Sequence, residues 1–257
     1  GGVGREWVGG VGGAGGGTGL SVLVGLGSEA LSGGDGLGME DGGPVLQLRE
    51  RWTPVGLRGL VVGGIRMSAL GAVMDVAMGI GASLAEVRPL LERLNLTDTP
   101  FSPELPLAPL HWIISDRESS LTVESVREGL RIYDNPAGVL TNNPPFDFQM
   151  QHLSQFLNLT REIPVNRFSP RVRLEPHSLG MGALGLPGDL SSSSRFVRAA
   201  FAALNSVSGE TEEDGVGQFF HILDFVAQPR GCARAENGAF ERTLYTSCCN
   251  TDRGLYY

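Results

Sequence analysis

The chain has 257 residues, 41% of them hydrophobic and 19% charged, enough to bury a core in one large domain or two small ones without covalent staples. Its formal net charge of −8 argues against a nucleic-acid partner or an anionic membrane surface, because phosphate binding wants a basic face. Three cysteines, all at or beyond position 232, are too few for a disulfide scaffold and point to a reducing setting. No basic stretch precedes an apolar run at the start, so no signal peptide is expected. The most apolar stretch, 59–82, carries Arg66 and Asp75, which argues against a transmembrane helix.

The composition breaks at about residue 82. Of the 38 glycines, 26 lie in residues 1–82. That segment holds no Phe, Tyr, His, Cys, Asn or Lys, whereas residues 83–257 hold 31 residues of the first five types. Glycine adds nothing to a core and loses the most entropy on folding, so 1–82 is a poor core builder. Three readings compete: a disordered low-complexity region, a glycine-rich ligand domain, or GC-rich coding DNA translated out of frame. The abruptness of the change and the lack of a repeat favour the third; that all 20 basic residues are arginine points to a GC-rich coding sequence. Gly10, Gly12 and Gly15 fit G-x-G-x-x-G, but chance matches are expected at this glycine density. No strand, helix or spaced acidic residue flanks the match as a dinucleotide site requires, so it carries no weight.

From residue 83 the pattern is that of a folded domain. Ser83 and Glu86 form a capping-box pattern, with Leu84, Val87, Leu90, Leu91 and Leu94 at helical spacing and Pro89 as an interior irregularity. A turn-rich loop precedes three predicted strands, Leu110–Ser115, Leu121–Ser125 and Leu130–Tyr133. A fourth, Val139–Thr141, should end at Asn142-Asn143-Pro144-Pro145, where the prolines forbid continuation. A helix is predicted from Phe146 to about Leu157. After the glycine-rich loop 180–188, the serine run Ser191–Ser194 caps a helix over Arg195–Leu204. Another helix is expected over Val216–Ala227, then strands at Arg242–Cys248 and Leu255–Tyr257. Hairpins, then helices, then strands make an α+β fold with an antiparallel sheet.

Few residues offer chemistry. The four histidines lack metal-ligand spacing, with His111 and His221 read as core or edge residues. Cys248 and Cys249 alternate across a predicted strand and cannot share one ion, so no metal is expected. There is no G-x-S-x-G, and without lysine no Ser-x-x-Lys. Two features remain. Asn142 ends a strand at a rigid turn, where its amide could donate to an oxyanion, although on composition alone an Asx-turn is the favoured explanation. Arg195 opens a helix whose N-terminus disfavours cations unless an anion is near, although a surface salt bridge is the plainer explanation.

The blocks HWIISDRESSLTVESVREGLRIYDNPAGVLTNNPPFDFQ (111–149), GMGALGLPGDLSSSSRFVRAAF (180–201), FFHIL (219–223) and YTSCCNTDRGLYY (245–257) closely resemble choloylglycine hydrolases, the family of bile salt hydrolases and penicillin V acylases. The resemblance covers 83–257. It implies an N-terminal-nucleophile amide hydrolase with an α-β-β-α four-layer sandwich, incomplete here, cytoplasmic, homo-oligomeric when intact, and without metal or organic cofactor. Its substrate would be a small-molecule amide, a conjugated bile acid or penicillin V. In such a family an N-terminal cysteine attacks the carbonyl and its α-amine handles the proton. Asn142 matches the oxyanion donor and Arg195 the arginine beside the thiol, so the two should approach one another. Phe101 and Leu105 match the apolar pocket wall. The nucleophilic cysteine has no counterpart in residues 1–82, nor has a further family asparagine, so this polypeptide is expected to be inactive, and a non-catalytic homologue is the competing reading. Ser178-Leu179 departs from the Ser-Arg of many bile salt hydrolases and leaves a glycine or taurine preference open.

Overall fold

A computed structural model gives the fold and describes residues 21–26, 83–94, 110–115, 119–235, 238–243, 245–250 and 255–257. Four antiparallel strands lie in chain order in one sheet: β1 (Ser21–Leu26), β2 (Leu110–Ser115), β3 (Ser120–Val126) and β4 (Gly129–Asp134). Strands β2 to β4 form where they are predicted, to within one residue at each end. Strand β1 comes from the glycine-rich segment, where no element was expected, and pairs along its whole length with β2, Ser21 opposite Ser115 and Leu26 opposite Leu110. Two short antiparallel ribbons follow, β5 (Ala233–Arg234) with β6 (Phe240–Glu241), and β7 (Cys249–Asn250) with β8 (Leu255–Tyr256). The described residues therefore hold an α+β fold with one four-stranded layer.

The register divides the sheet into two unlike faces. Trp112 lies opposite Val123, Ile114 opposite Leu121, and Val123 opposite Ile132, so these side chains share one face. Helix α1 (Leu84–Leu91) covers it with Leu84, Val87 and Leu91, all buried. Each such side chain contributes about 1.5–3 kcal/mol of burial, which offsets the hydrogen bond that Pro89 cannot donate inside α1. The Ser83–Glu86 capping box does not close: no side-chain cap is formed, and the Ser83 carbonyl accepts from Glu86 and Val87 instead.

The opposite face carries His111, Thr122 and Glu124, all buried. A second core lies beyond it, built on helices α2 (Phe146–Leu153), α3 (Ser192–Asn205) and α4 (Glu212–Asp224). Tyr133 on β4 meets Phe146 at 5.6 Å between ring centroids, and Phe146 meets Phe196 edge-on at 6.0 Å. Such contacts add about 0.5–1.5 kcal/mol each beyond buried area and tie sheet to helices.

Several expected boundaries shift. Helix α2 ends at Leu153 and tightens into a 3₁₀ turn over Ser154–Phe156. Helix α3 starts one turn before Arg195, with the Ser191 hydroxyl accepting from the Ser194 amide. Helix α4 starts before Val216, because Thr211 and Asp214 close a capping box. His221 is exposed on α4, not a core residue. Val139–Thr141 is no strand: the Val139 carbonyl accepts from Asn135 Nδ2 and the Thr141 hydroxyl meets Ser192 Oγ, side chains standing where a ladder partner would be. The long strand expected at Arg242–Cys248 is absent from the described residues there. Thr243 spends its backbone N–H on the Gln228 carbonyl and its hydroxyl on the Gln228 amide, which ties it to a loop rather than to a ladder.

The long connection between α2 and α3 is pinned at Gly182, whose carbonyl accepts from the Thr160 amide at 3.0 Å. A Cβ at this position would run into the backbone oxygens of Thr160 and Glu162, neither of which is a flexible side-chain end. Gly182→Ala is therefore expected to destabilise the fold by about 1–3 kcal/mol. Thermal denaturation checks this, and an unchanged midpoint would contradict the close approach.

Candidate active site

The site is built on a non-repetitive stretch, residues 135–145, between β4 and α2. It leaves the sheet through Asn135, which is buried and donates from Nδ2 to Thr122 Oγ1 at 3.0 Å and to the Val139 carbonyl at 2.9 Å. Its Oδ1 accepts from the Gly138 amide, closing a turn that needs the left-handed backbone of Gly138 (φ 64°). The stretch then runs through buried Val139 and Thr141 to Asn142, a cis Asn143–Pro144 peptide and Pro145.

Proline cannot cap a helix with its side chain, so the first amide of α2 takes its acceptor from elsewhere. Glu124 on β3 supplies it, with both carboxylate oxygens on the Phe146 N–H at 3.0 and 3.2 Å. A buried carboxylate needs such donors, and His111 adds another contact through Nδ1 at 2.7 Å. Anionic charge at a helix N-terminus is also favoured by the dipole.

Asn142 is held from three sides. Its backbone carbonyl accepts from Ser192 Oγ at 2.5 Å and from Gln149 Nε2 at 3.3 Å. Its side-chain Oδ1 accepts from Arg195 Nη2 at 2.8 Å. Asn142 and Arg195, 53 positions apart, are thus in direct contact, and the guanidinium fixes the carboxamide so that Nδ2 is its donor end. The bond from Arg195 to the Asn142 side chain spans two distant segments, unlike the local contact of an Asx-turn. Nor does Arg195 make a surface salt bridge: it is 1% exposed, and Nε donates to the Leu190 carbonyl at 3.1 Å. These oxygens offset the poor placement of a cation in the first turns of α3.

The approach to α3 is equally built. Asp189 accepts from the Ser191 amide at 2.9 Å and from Ser194 Oγ at 2.5 Å. The Ser191 and Ser194 hydrogen bonds lower its pKa to about 2. Arg198, one turn beyond Arg195, donates to the carbonyls of Phe225, Pro187 and Asp189 and clamps the same loop, and burial lowers its pKa against the opposing effect of Asp189. Tyr133, at the edge of the polar sheet face, has its pKa raised by burial and then by the carboxylates of Asp147 and Glu124.

Of the sequence-predicted site residues, Asn142 and Arg195 come together, while Phe101 and Leu105 lie outside the described residues. Among the described residues no group of three or more His, Cys, Asp or Glu could hold a metal ion. Cys232 is exposed, and Cys248 is buried in the second core. Sequence reading missed Asn135, Glu124, Gln149 and Ser192. Gln149 did leave a signal, as a polar residue on the face that Phe146, Met150 and Leu153 mark at helical spacing.

Comparison with known proteins adds family context. A profile of linear amide C-N hydrolases, choloylglycine hydrolase family, matches residues 66–257. A YibE/F-like protein profile matches residues 1–98, less than half of the chain. The chain is 53% identical over 180 residues to a bile salt hydrolase/transferase of Lactiplantibacillus plantarum, covering 70% of this chain and 56% of that protein. It is 37% identical over 178 residues to the bile salt hydrolase/transferase of Clostridium perfringens, covering 68% and 54%. A crystal structure of a mutant conjugated bile acid hydrolase from Clostridium perfringens superposes with a TM-score of 0.60 at 36% identity, over 70% of this chain and 55% of that one. Penicillin V acylase from Agrobacterium tumefaciens, at 22% identity and a TM-score of 0.54 over 74% and 51%, shares the fold. The chain spans about half the length of the curated relatives it matches. No helix among the described residues is long and apolar enough to cross a membrane.

Acid should weaken this site in a defined window. A carboxyl whose folded pKa is lowered contributes stability that is fully present above its ordinary value of 3.8 and is lost as pH falls through about 2. Asp189 is exposed, so its contribution is screened to about 1 kcal/mol or less. Asp189→Asn should lower the thermal midpoint by about 2–4 °C or less at pH 6. The difference from wild type should vanish towards pH 2, and a gap that persists there would rule out the carboxylate as its source.

Proposed function

Because the chain belongs to the choloylglycine hydrolase family of linear amide C-N hydrolases, we propose that residues 83–257 form the transition-state-stabilising part of a hydrolase for the amide that joins a bile acid to glycine or taurine. The observation that carries the proposal is the 2.8 Å contact between Arg195 and Asn142, which unites the family's oxyanion amide and its arginine. In this reaction a cysteine thiolate adds to the amide carbonyl carbon, and negative charge develops on the carbonyl oxygen. Asn142 Nδ2 donates to that oxygen, and collapse expels the amine of glycine or taurine with a proton. Water then cleaves the resulting thioester to release the free bile acid. Arg195 orients the amide and its positive charge favours thiolate over thiol.

On the same reading the complete fold is the α-β-β-α sandwich of N-terminal-nucleophile hydrolases, the enzyme is a cytoplasmic homo-oligomer, and Phe101 and Leu105 line the apolar acyl pocket. Residues 1–82 carry no cysteine, and on this reading they are translated out of frame. The bile salt reading is preferred over penicillin V because relatives at 53% and 37% identity bear bile salt names.

Two preparations test this. The 257-residue polypeptide, incubated with glycine- and taurine-conjugated bile salts, should release no amino acid above a blank. An oxyanion donor without a nucleophile retains only about 10³–10⁴ over the uncatalysed rate, too little to detect for a stable amide. A chimera that joins residues 83–257 behind the N-terminal part of the Lactiplantibacillus plantarum relative should hydrolyse these substrates and lose activity on thiol alkylation. Asn142→Ala in the chimera should lower kcat by about 10²–10³. A folded but inactive chimera would defeat the proposal. So would turnover by the unmodified polypeptide that survives alkylation.

A further inference from the structure

We infer that Gln149 is a positioning residue for the Asn142 amide, holding the oxyanion donor in place from the first turn of α2 without touching substrate. The inference rests on the reading of Asn142 given above. Gln149 is 1% exposed, and its Nε2 lies 3.1 Å from the Pro144 carbonyl, 3.3 Å from the Asn142 carbonyl and 3.4 Å from Ser192 Oγ. Two of these three partners are carbonyls, which only accept, so nitrogen must be the end that faces them. With two protons to donate, Nε2 satisfies the two carbonyls and leaves Ser192 as the weakest contact. Ser192 in turn places its single proton on the Asn142 carbonyl at 2.5 Å.

The consequence is geometric. The Asn142 carbonyl is anchored to α2 by Gln149 and to α3 by Ser192, while its side chain is anchored to α3 by Arg195. Prolines at 144 and 145 remove two backbone donors from this turn, so it has no ladder to hold it. Loss of Gln149 removes the side-chain donor to the Pro144 carbonyl and one of the donors to the Asn142 carbonyl. The backbone then rotates, and the amide drifts from Arg195.

The full chain, labelled with ¹⁵N, gives the test by nuclear magnetic resonance. In the wild type, the Gln149 side-chain NH₂ pair should be protected from exchange with water. Gln149→Met keeps the volume and removes both donors. It should move the Asn142 side-chain NH₂ signals towards free-asparagine shifts and remove the Arg195 Nη proton signals. Met150→Ala, in the same helix and packed against the second core with no polar contact, serves as the control for general loosening of α2. It should lower the thermal midpoint and leave the Asn142 and Arg195 signals in place. Unmoved signals in Gln149→Met, equal movement in Met150→Ala, or a Gln149 NH₂ pair exchanging at the free-amide rate would each overturn the inference. None of these readouts depends on turnover, so an inactive chimera would strike the functional reading alone.

Discussion

Residues 135–145 cross the molecule without joining a sheet, and this sets the terms for everything around them. A buried peptide group without a ladder partner costs about as much as a lost hydrogen bond, so side chains must stand in for the missing strand. Asn135 takes the Val139 carbonyl, Gln149 and Ser192 take the Asn142 carbonyl, and Gln149 takes that of Pro144. Glu124 accepts the amide of Phe146 where the stretch enters α2. The stretch is thereby suspended between a sheet on one side and two helices on the other, and Asn142 sits between these supports.

The same constraint explains why the sheet has two unlike faces. The α1 side needs only shape and apolar area, and Trp112, Ile114, Leu121 and Val123 supply both. The other side must offer donors and acceptors to an irregular backbone, which is why His111, Thr122 and Glu124 occupy positions that would otherwise favour apolar residues. Burying these groups is tolerable because each is hydrogen-bonded. A conversion of this face to an apolar one would leave the Phe146 amide without Glu124 and Asn135 Nδ2 without Thr122.

Arg195 shows how a cation is kept in an unfavourable place. It lies in the second turn of α3, where the helix field opposes it, and it is almost wholly buried. Carbonyl and amide oxygens from Leu190 and Asn142 solvate it in place of water. Asp189, just before the helix, is held ionised by Ser191 and Ser194, and its charge acts on Arg198 one turn further on. The result is a fixed positive charge beside a fixed side-chain amide.

Local sequence determined much of the chain. Short runs between turn signals marked β2, β3 and β4, apolar spacing and capping residues marked helices, and long matching blocks identified the family through Asn142 and Arg195. These signals are legible because periodicity and motif are properties of neighbouring residues. Tertiary structure alone decided the rest. Val139–Thr141 has the composition of a strand, but Asn135, Gln149 and Ser192 take its surroundings out of any ladder. Pro145 cannot show that the cap of its helix lies on β3, 22 residues from Phe146. Strand β1 arose in a stretch whose composition argued against order, since pairing with β2 supplies the hydrogen bonds that glycine-rich sequence cannot secure locally. Hydrogen-bond partners for buried groups are chosen by proximity in space, and that choice is written between distant segments rather than within any one of them.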